Sequence, residues 1–199
     1  MLRRHHYETA FEEYLRSRRT PYIAVDEARK ALLPAGAELK AAPRNGVTPP
    51  VAPGGPFEAL KSFDFVLYGS RVNLLVDVKG RKVARRSRPT TGAALAAVPR
   101  SGLESWVTQD DIESLTKWRT LFGPGFDAAF VFVYWCDDQP PDGLFQDVWE
   151  HRARWYAVRT VRLDDYTKAM RRRSPKWRTV HVPARDFESI STPGTGLDR

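Results

Sequence analysis

The chain has 199 residues, a formal charge of +8 and a pI near 9.8, a length that suits one domain able to bury most of its apolar surface without disulfide or metal staples. Hydrophobic residues make up 42% of it, and no run approaches the roughly 18 apolar residues that a membrane-spanning helix requires, so a transmembrane protein is excluded. The basic start Met1-Leu2-Arg3-Arg4-His5-His6 leads straight into Tyr7 and Glu8 without a secretory apolar segment, and the single Cys136 has no internal disulfide partner; the expectation is a cytoplasmic protein with an inert, buried thiol.

Tyr7, Ala10, Phe11, Tyr14 and Leu15 recur at the spacing of one helix face, which predicts an amphipathic helix from about His5 to Arg18, ended by Pro21. A short strand over Tyr22–Val25 and a short helix over Asp26–Leu33 follow. From Pro34 to Pro56 the chain is rich in Pro, Gly and Ala and nearly free of large apolar residues, so it reads as an exposed, mobile insertion that cannot offset its own ordering entropy. Ser62–Tyr68 and Val72–Lys79, separated by Gly69 and polar neighbours, have the signature of a hairpin.

Strand side chains alternate between faces. In the second strand Val72, Leu74, Val76 and Val78 therefore share one face, while Asn73, Leu75, Asp77 and Lys79 share the other, and Asp77 projects together with Lys79. Thr108 with Asp111 three residues on is a capping-box pattern, opening a helix that sends Ile112, Leu115, Trp118 and Phe122 to the core and stops at Gly123-Pro124. Ala128–Trp135 is continuously apolar, as a strand buried on both faces would be, which makes it the expected centre of the sheet. Arg154–Thr160 and Trp177–Val182 read as further strands around a short helix from about Asp164 to Arg171, and the tail after Ile190 as a fraying end, so that 1–190 form a single domain and 191–199 a flexible tail.

The positive charge is concentrated. Arg81, Lys82, Arg85, Arg86 and Arg88 lie in a stretch from Lys79 to Arg100 without an acidic residue, and Lys168, Arg171, Arg172, Arg173, Lys176 and Arg178 form a second acid-free cluster. Such runs are either solvated loops or contacts for a polyanion, with nucleic acid the commonest intracellular candidate. The candidate contacts are Arg81, Lys82, Arg85, Arg86, Arg88, Lys176 and Arg178. Trp177, between Lys176 and Arg178, is the tryptophan best suited to stack on a base, whereas the other tryptophans are better suited to core packing.

In order, these elements run helix, short strand, strand with Asp64, strand with Asp77-Val78-Lys79, helix, central strand. This core resembles the restriction-endonuclease-like PD-(D/E)XK superfamily, and the string His6-Tyr7-Glu8-Thr9-Ala10-Phe11-Glu12 resembles the signature of the bacterial HYExAFE family associated with it. The resemblance spans roughly Tyr7 to Trp135. It implies an α/β fold with an α-β-β-β-α-β core and a central mixed sheet flanked by helices, to which the strands and helix read after Trp135, outside the resemblance, add a C-terminal β/α extension. It also implies a nuclease whose metal site draws on Asp64, Asp77 and the Val78 carbonyl, with Lys79 beside them and Glu12 or Glu8 from the first helix completing the shell, Glu12 slightly preferred.

These residue types suit phosphodiester cleavage. Mg²⁺ (or Mn²⁺) takes oxygen ligands, so two carboxylates and a carbonyl can hold it while leaving room for water and phosphate, and the bound ion activates water for attack. A lysine ammonium then stabilises developing charge. DNA is the expected substrate; whether a homodimer is needed is left open by the sequence. Gln109, at the start of the second helix, matches a polar active-site position of some relatives, but Glu113 stands where a Tyr would follow, and a helix-start residue beside the Thr108 cap is the plainer role. Two other readings compete: a nucleic-acid-binding protein that keeps the fold without cleavage, and a scaffold whose carboxylates form structural ion pairs.

Overall fold

A computed structural model describes residues 6–26, 61–83, 103–136 and 147–197. The predicted insertion at 34–56, the short helix expected over Asp26–Leu33 and the residues Arg85, Arg86 and Arg88 lie outside these, apart from Asp26 itself.

Helix α1 (His6–Ser17) leads to strand β1 (Tyr22–Ala24), then β2 (Phe65–Leu67) and β3 (Asn73–Val83). A two-residue strand β4 (Val107–Thr108) precedes helix α2 (Gln109–Phe122), and β5 (Phe126–Cys136) follows. The order α, β, β, β, α, β expected for the core is therefore present, with β4 as an added element. The C-terminal part consists of β6 (Val148–His151), β7 (Arg154–Arg162), α3 (Leu163–Ala169), β8 (Arg171–Ser174), β9 (Thr179–His181), α4 (Ala184–Ile190) and β10 (Thr192–Pro193).

The main sheet runs β1-β2-β3-β5-β7-β10, with β6 also on β7, while β4, β9 and β8 make a small second sheet. Strands β1, β2 and β3 form an antiparallel meander, β5 lies parallel to β3, and β7 is antiparallel to β5, so the sheet is mixed. The parallel step needs a long crossover, and α2 lies within it. Strand β5 pairs along its whole length with β3, from Asn73 with Phe126 to Val83 with Cys136, and its residues Ala128 to Tyr134 are buried. That is the central strand that an unbroken apolar run predicts.

Each face of the sheet has its own core. On one, Ala10, Phe11, Tyr14 and Leu15 of α1 pack on Phe65, Leu74, Val76, Val131 and Val133; on the other, Leu115, Leu163, Tyr166 and Phe187 of the remaining helices pack on Leu75, Phe130 and Phe132. The alternation of β3 is thus as expected, with Leu74 and Val76 toward α1 and Leu75 toward α2. Helix α1 comes so close to β3 that a Cβ at Gly80 would fall 2.0 Å from Cδ2 of Tyr7.

Two expectations are corrected. Residues 191–197, the described part of the expected tail, do not fray: Thr192 and Pro193 pair with Thr160 and Arg159, and Leu197 is buried in the α1-side core. The cause is Arg159, a buried guanidinium that donates to Ser191 Oγ (2.8 Å) and O (3.0 Å) and to Glu188 O (3.1 Å), clasping the tail to β7. The strand expected over Trp177–Val182 covers only Thr179–His181, because Pro175–Arg178 form the turn between β8 and β9, with Arg178 at a left-handed φ of 46°. Cys136 is buried, as its apolar setting implied.

Candidate active site

The site begins where β2 stops pairing. The Asp64 N–H donates to Val76 O (2.9 Å) just outside the β2 ladder, which begins at Phe65, and the chain before it turns away, so the Val78 N–H of the longer β3 has no strand backbone to meet. The Asp64 carboxylate takes that place, with Oδ2 accepting from Val78 N at 2.6 Å. A buried amide must find a partner, and here that need fixes Asp64 against β3 one residue from Asp77. The preceding segment is held by Trp118 Nε1 donating to Lys61 O (2.8 Å).

Asp77 is buried, 8% exposed. The alternation that places it on the α2 face brings Lys79 to the same side, and Lys79 Nζ lies 2.8 Å from Asp77 Oδ2 and 3.1 Å from Asp111 Oδ2. Asp111 also ion-pairs through Oδ1 with Lys61. It does this while serving as the third helical residue of α2: the capping box forms as predicted, Thr108 Oγ1 accepting from Asp111 N (3.1 Å) and Asp111 Oδ2 from Thr108 N (2.8 Å). One carboxylate therefore caps a helix and steadies two lysines.

The electrostatics divide the three acids. Burial, followed by the charge of Asp77, pushes the Asp64 carboxyl up to about 8. Burial also raises that of Asp77, against the pull of Lys79. Asp111 goes the other way: burial would raise it, but Lys79, Lys61 and the Thr108 N–H together hold it down at about 2. Burial would lower the Lys79 ammonium, yet Asp77 and Asp111 outweigh that and keep it above its ordinary value. The site therefore presents a fixed cation beside two carboxylates that resist both being charged.

Of the two acids on α1, the charge of Glu8 reaches Asp64 and raises its pKa. Glu12 is buried, with Oε1 accepting from Arg16 (2.9 Å) and the Tyr22 hydroxyl (2.8 Å). Glu12, the acid preferred from the sequence, thus ties α1 to β1, while Glu8 is the helix acid whose charge is felt at Asp64. Gln109 is exposed at the start of α2, its N–H donating to Arg178 O (2.8 Å), which matches the helix-start role.

The basic candidates separate as well. Arg81 is not a surface phosphate contact: it is buried, its guanidinium lies 4.1 Å from the Trp106 ring centroid, and it donates to Gly80 O (2.7 Å) and Trp106 O. The same alternation that turns Asp77 and Lys79 inward turns residue 81 inward, a signal the acid-free run obscures. Lys82, on the opposite face, is exposed, with Nζ 4.4 Å from the Trp135 centroid. Arg178 is taken up by Asp110 (3.1 Å) and Glu113 (3.1 Å), whereas Lys176 stands exposed near Trp177.

The sequence reading missed the site roles of Asp111 and Lys61. Asp111 was visible only as a cap; its reach to Lys79 depends on how α2 crosses the sheet.

Among the described residues no three His, Cys, Asp or Glu side chains stand together as a ready-made metal cage. The donors present still fit Mg²⁺, which is commonly held by one or two carboxylates with water and substrate oxygens completing its shell. Asp64 and Asp77, each pushed toward its protonated form, are a pair whose charge a cation would relieve.

No protein-family model matches the chain, and no curated protein does. Among solved structures, a Holliday junction resolvase, Hjc from the archaeal hyperthermophile Archaeoglobus fulgidus, is similar at 15% identity and a TM-score of 0.37, over 68% of this chain and 72% of that one. At that identity and score the likeness assigns no activity.

Proposed function

We propose that this chain is a metal-dependent nuclease that hydrolyses phosphodiester bonds in DNA, with Asp64, Asp77 and the Val78 carbonyl as the ligands of Mg²⁺ or Mn²⁺. The observation that carries this reading is the convergence of Asp64, Asp77 and Lys79 from neighbouring strands, with Lys79 Nζ 2.8 Å from Asp77 and Asp64 bonded to the residue between them. The ion, when bound, would neutralise phosphate charge and lower the pKa of its water.

The chain's own groups do the rest. Asp111 and Asp77 hold the Lys79 ammonium charged and fixed, so that it meets developing negative charge on the phosphate without reorganising. Lys61, half exposed and anchored on the same Asp111, is placed to receive a neighbouring phosphate. Glu8 adds negative charge beside Asp64 and favours occupation of the site by a cation.

A second reading, binding of nucleic acid without cleavage, rests on the exposed Lys82, Arg172 and Lys176, which would meet phosphate whether or not a metal binds. Cleavage of end-labelled DNA with Mg²⁺ separates the two. In the nuclease reading Asp77→Ala lowers turnover by about 10³-fold or more while salt-dependent DNA binding persists, because the exposed cations supply the phosphate contacts. Wild-type protein that binds DNA but never cuts it supports the second reading instead.

A further inference from the structure

The β8–β9 hairpin carries a run of exposed cations and holds Trp177 in its turn. Trp177 is 70% exposed, more than any other large hydrophobic residue described. Arg171, Arg172 and Arg173 along β8 and Lys176 in the turn are all exposed, with Arg173 5.4 Å from the Trp106 ring centroid. Arg171 meets Asp186 at 3.3 Å, but among the described residues no carboxylate pairs with Arg172 or Lys176. Lys176 Nζ lies 5.4 Å from the Trp177 ring centroid, so a cation borders the exposed ring.

The tip is nonetheless held firmly. Arg178 N donates to Pro175 O (3.2 Å) and Trp177 N to Ser174 Oγ (3.4 Å), which closes the turn. The turn is fastened to the first turns of α2 by Arg178 O accepting from Gln109 N and by the Arg178 guanidinium gripping Asp110 and Glu113, each at 3.1 Å. Between those two acids sits Asp111, the partner of Lys79. The turn that carries Trp177 and the site lysine are thus both tied to the N-terminal turns of α2.

An exposed aromatic ring carried on an anchored turn with a cation beside it is the chemistry of a base-stacking platform, since every base offers a π-face and cations track the backbone. A fully stacked duplex keeps its base faces covered. We propose that Trp177 stacks on an unpaired base of nucleic acid a few nucleotides from the Asp64, Asp77 and Lys79 site, so that the chain prefers DNA with an unpaired, flapped or open base over uniform duplex. The stacking stands on the hairpin alone; its placement beside a scissile phosphate rests on the nuclease reading.

The test uses the full chain in EDTA, where no cleavage is expected, and oligonucleotides carrying 2-aminopurine either unpaired in a flap or paired within a duplex. Wild type and Trp177→Phe should quench the unpaired probe on binding. Trp177→Ala should lose that quench and bind the flap about tenfold or more weakly, with duplex affinity changed less than about twofold. Because the ring is solvent-exposed, the Ala variant should melt as wild type does.

Equal losses on flap and duplex would make Trp177 a generic support for a basic hairpin and overturn the proposal. So would a flap affinity untouched by Trp177→Ala, which points instead to a protein contact. If Mg²⁺ never supports cleavage yet the Trp-dependent quench persists, the nuclease reading falls and base stacking stands.

Discussion

Strand β3 turns Lys79 and Arg81 inward, whereas β8–β9 holds Arg172 and Lys176 out to solvent. Lys79 is 14% exposed, carries two carboxylate partners and is fixed before any ligand arrives; Arg81 is stacked on Trp106 and bonded to backbone carbonyls. Arg172 and Lys176, on the other hairpin, have no carboxylate partner among the described residues. Equal formal charges therefore have different uses. A buried, paired cation is preorganised for transition-state charge at the cost of desolvation, while an exposed one attracts a polyanion over distance and is screened by salt.

The largest effect separating the two hairpins should be at Lys79. Lys79→Ala is expected to lower kcat by about 10²–10³-fold with little change in KM, because its ammonium acts on charge that develops in the transition state. Single-turnover cleavage of a labelled duplex measures this. A variant that loses affinity and keeps its rate would place Lys79 among the ordinary phosphate contacts, and the contrast between the hairpins would vanish.

Packing gives the next effect. Gly80 faces Tyr7 of α1, whose ring would meet an added Cβ at 2.0–2.5 Å. Gly80→Ala should cost about 1–3 kcal/mol in urea unfolding. Combining it with Tyr7→Ala should cost less than the two single changes summed, since the clash goes with the ring. Strict additivity would show that Tyr7 is not what limits residue 80.

Arg81 and Lys82 are adjacent in sequence and opposite in role. Arg81→Ala should lower stability by about 1–3 kcal/mol through lost stacking and bonding, with the salt slope of DNA binding unchanged. Lys82→Ala should leave stability within about 0.5 kcal/mol and, if Lys82 touches phosphate, reduce that slope by about one. The reverse pattern would restore Arg81 as a surface contact.

This pair also shows how far the residues could be read in advance. Alternation along β3, the unbroken apolar run of β5 and the Thr108 to Asp111 capping box are local patterns, and all three elements form where those patterns place them. The same alternation carried two residues further would have turned Arg81 inward. The contact of Asp111 with Lys79, the clasp of Arg159 on Ser191 and the pairing of Thr192-Pro193 with β7 join residues far apart in the chain, and Pro193 reads locally as a strand breaker. Such pairings come from tertiary packing, which no window of neighbouring residues encodes. Glu12 was ambiguous for a similar reason, since its partner Tyr22 lies beyond the helix end.

A further contrast concerns protons on the two kinds of acid. The Asp64 carboxyl rises from an ordinary 3.8 to about 8 on folding, chiefly through burial and then through Asp77. The folded state thus binds this proton more tightly than the unfolded state. Its contribution to stability is complete below about 3.8, diminishes as pH climbs, and levels off above about 8. Asp111, held down at about 2, has the opposite sign: its contribution is complete above its ordinary 3.8 and is lost only as pH falls toward 2. Between about 4 and 8 Asp111 is therefore constant and Asp64 is not. Urea midpoints of the protein in EDTA should fall across that window, and Asp64→Asn, which keeps an oxygen to accept from Val78 N, should flatten the fall. A midpoint equally dependent on pH in the Asn variant would assign the proton to another group, with Asp77, raised by the same burial, the first to examine.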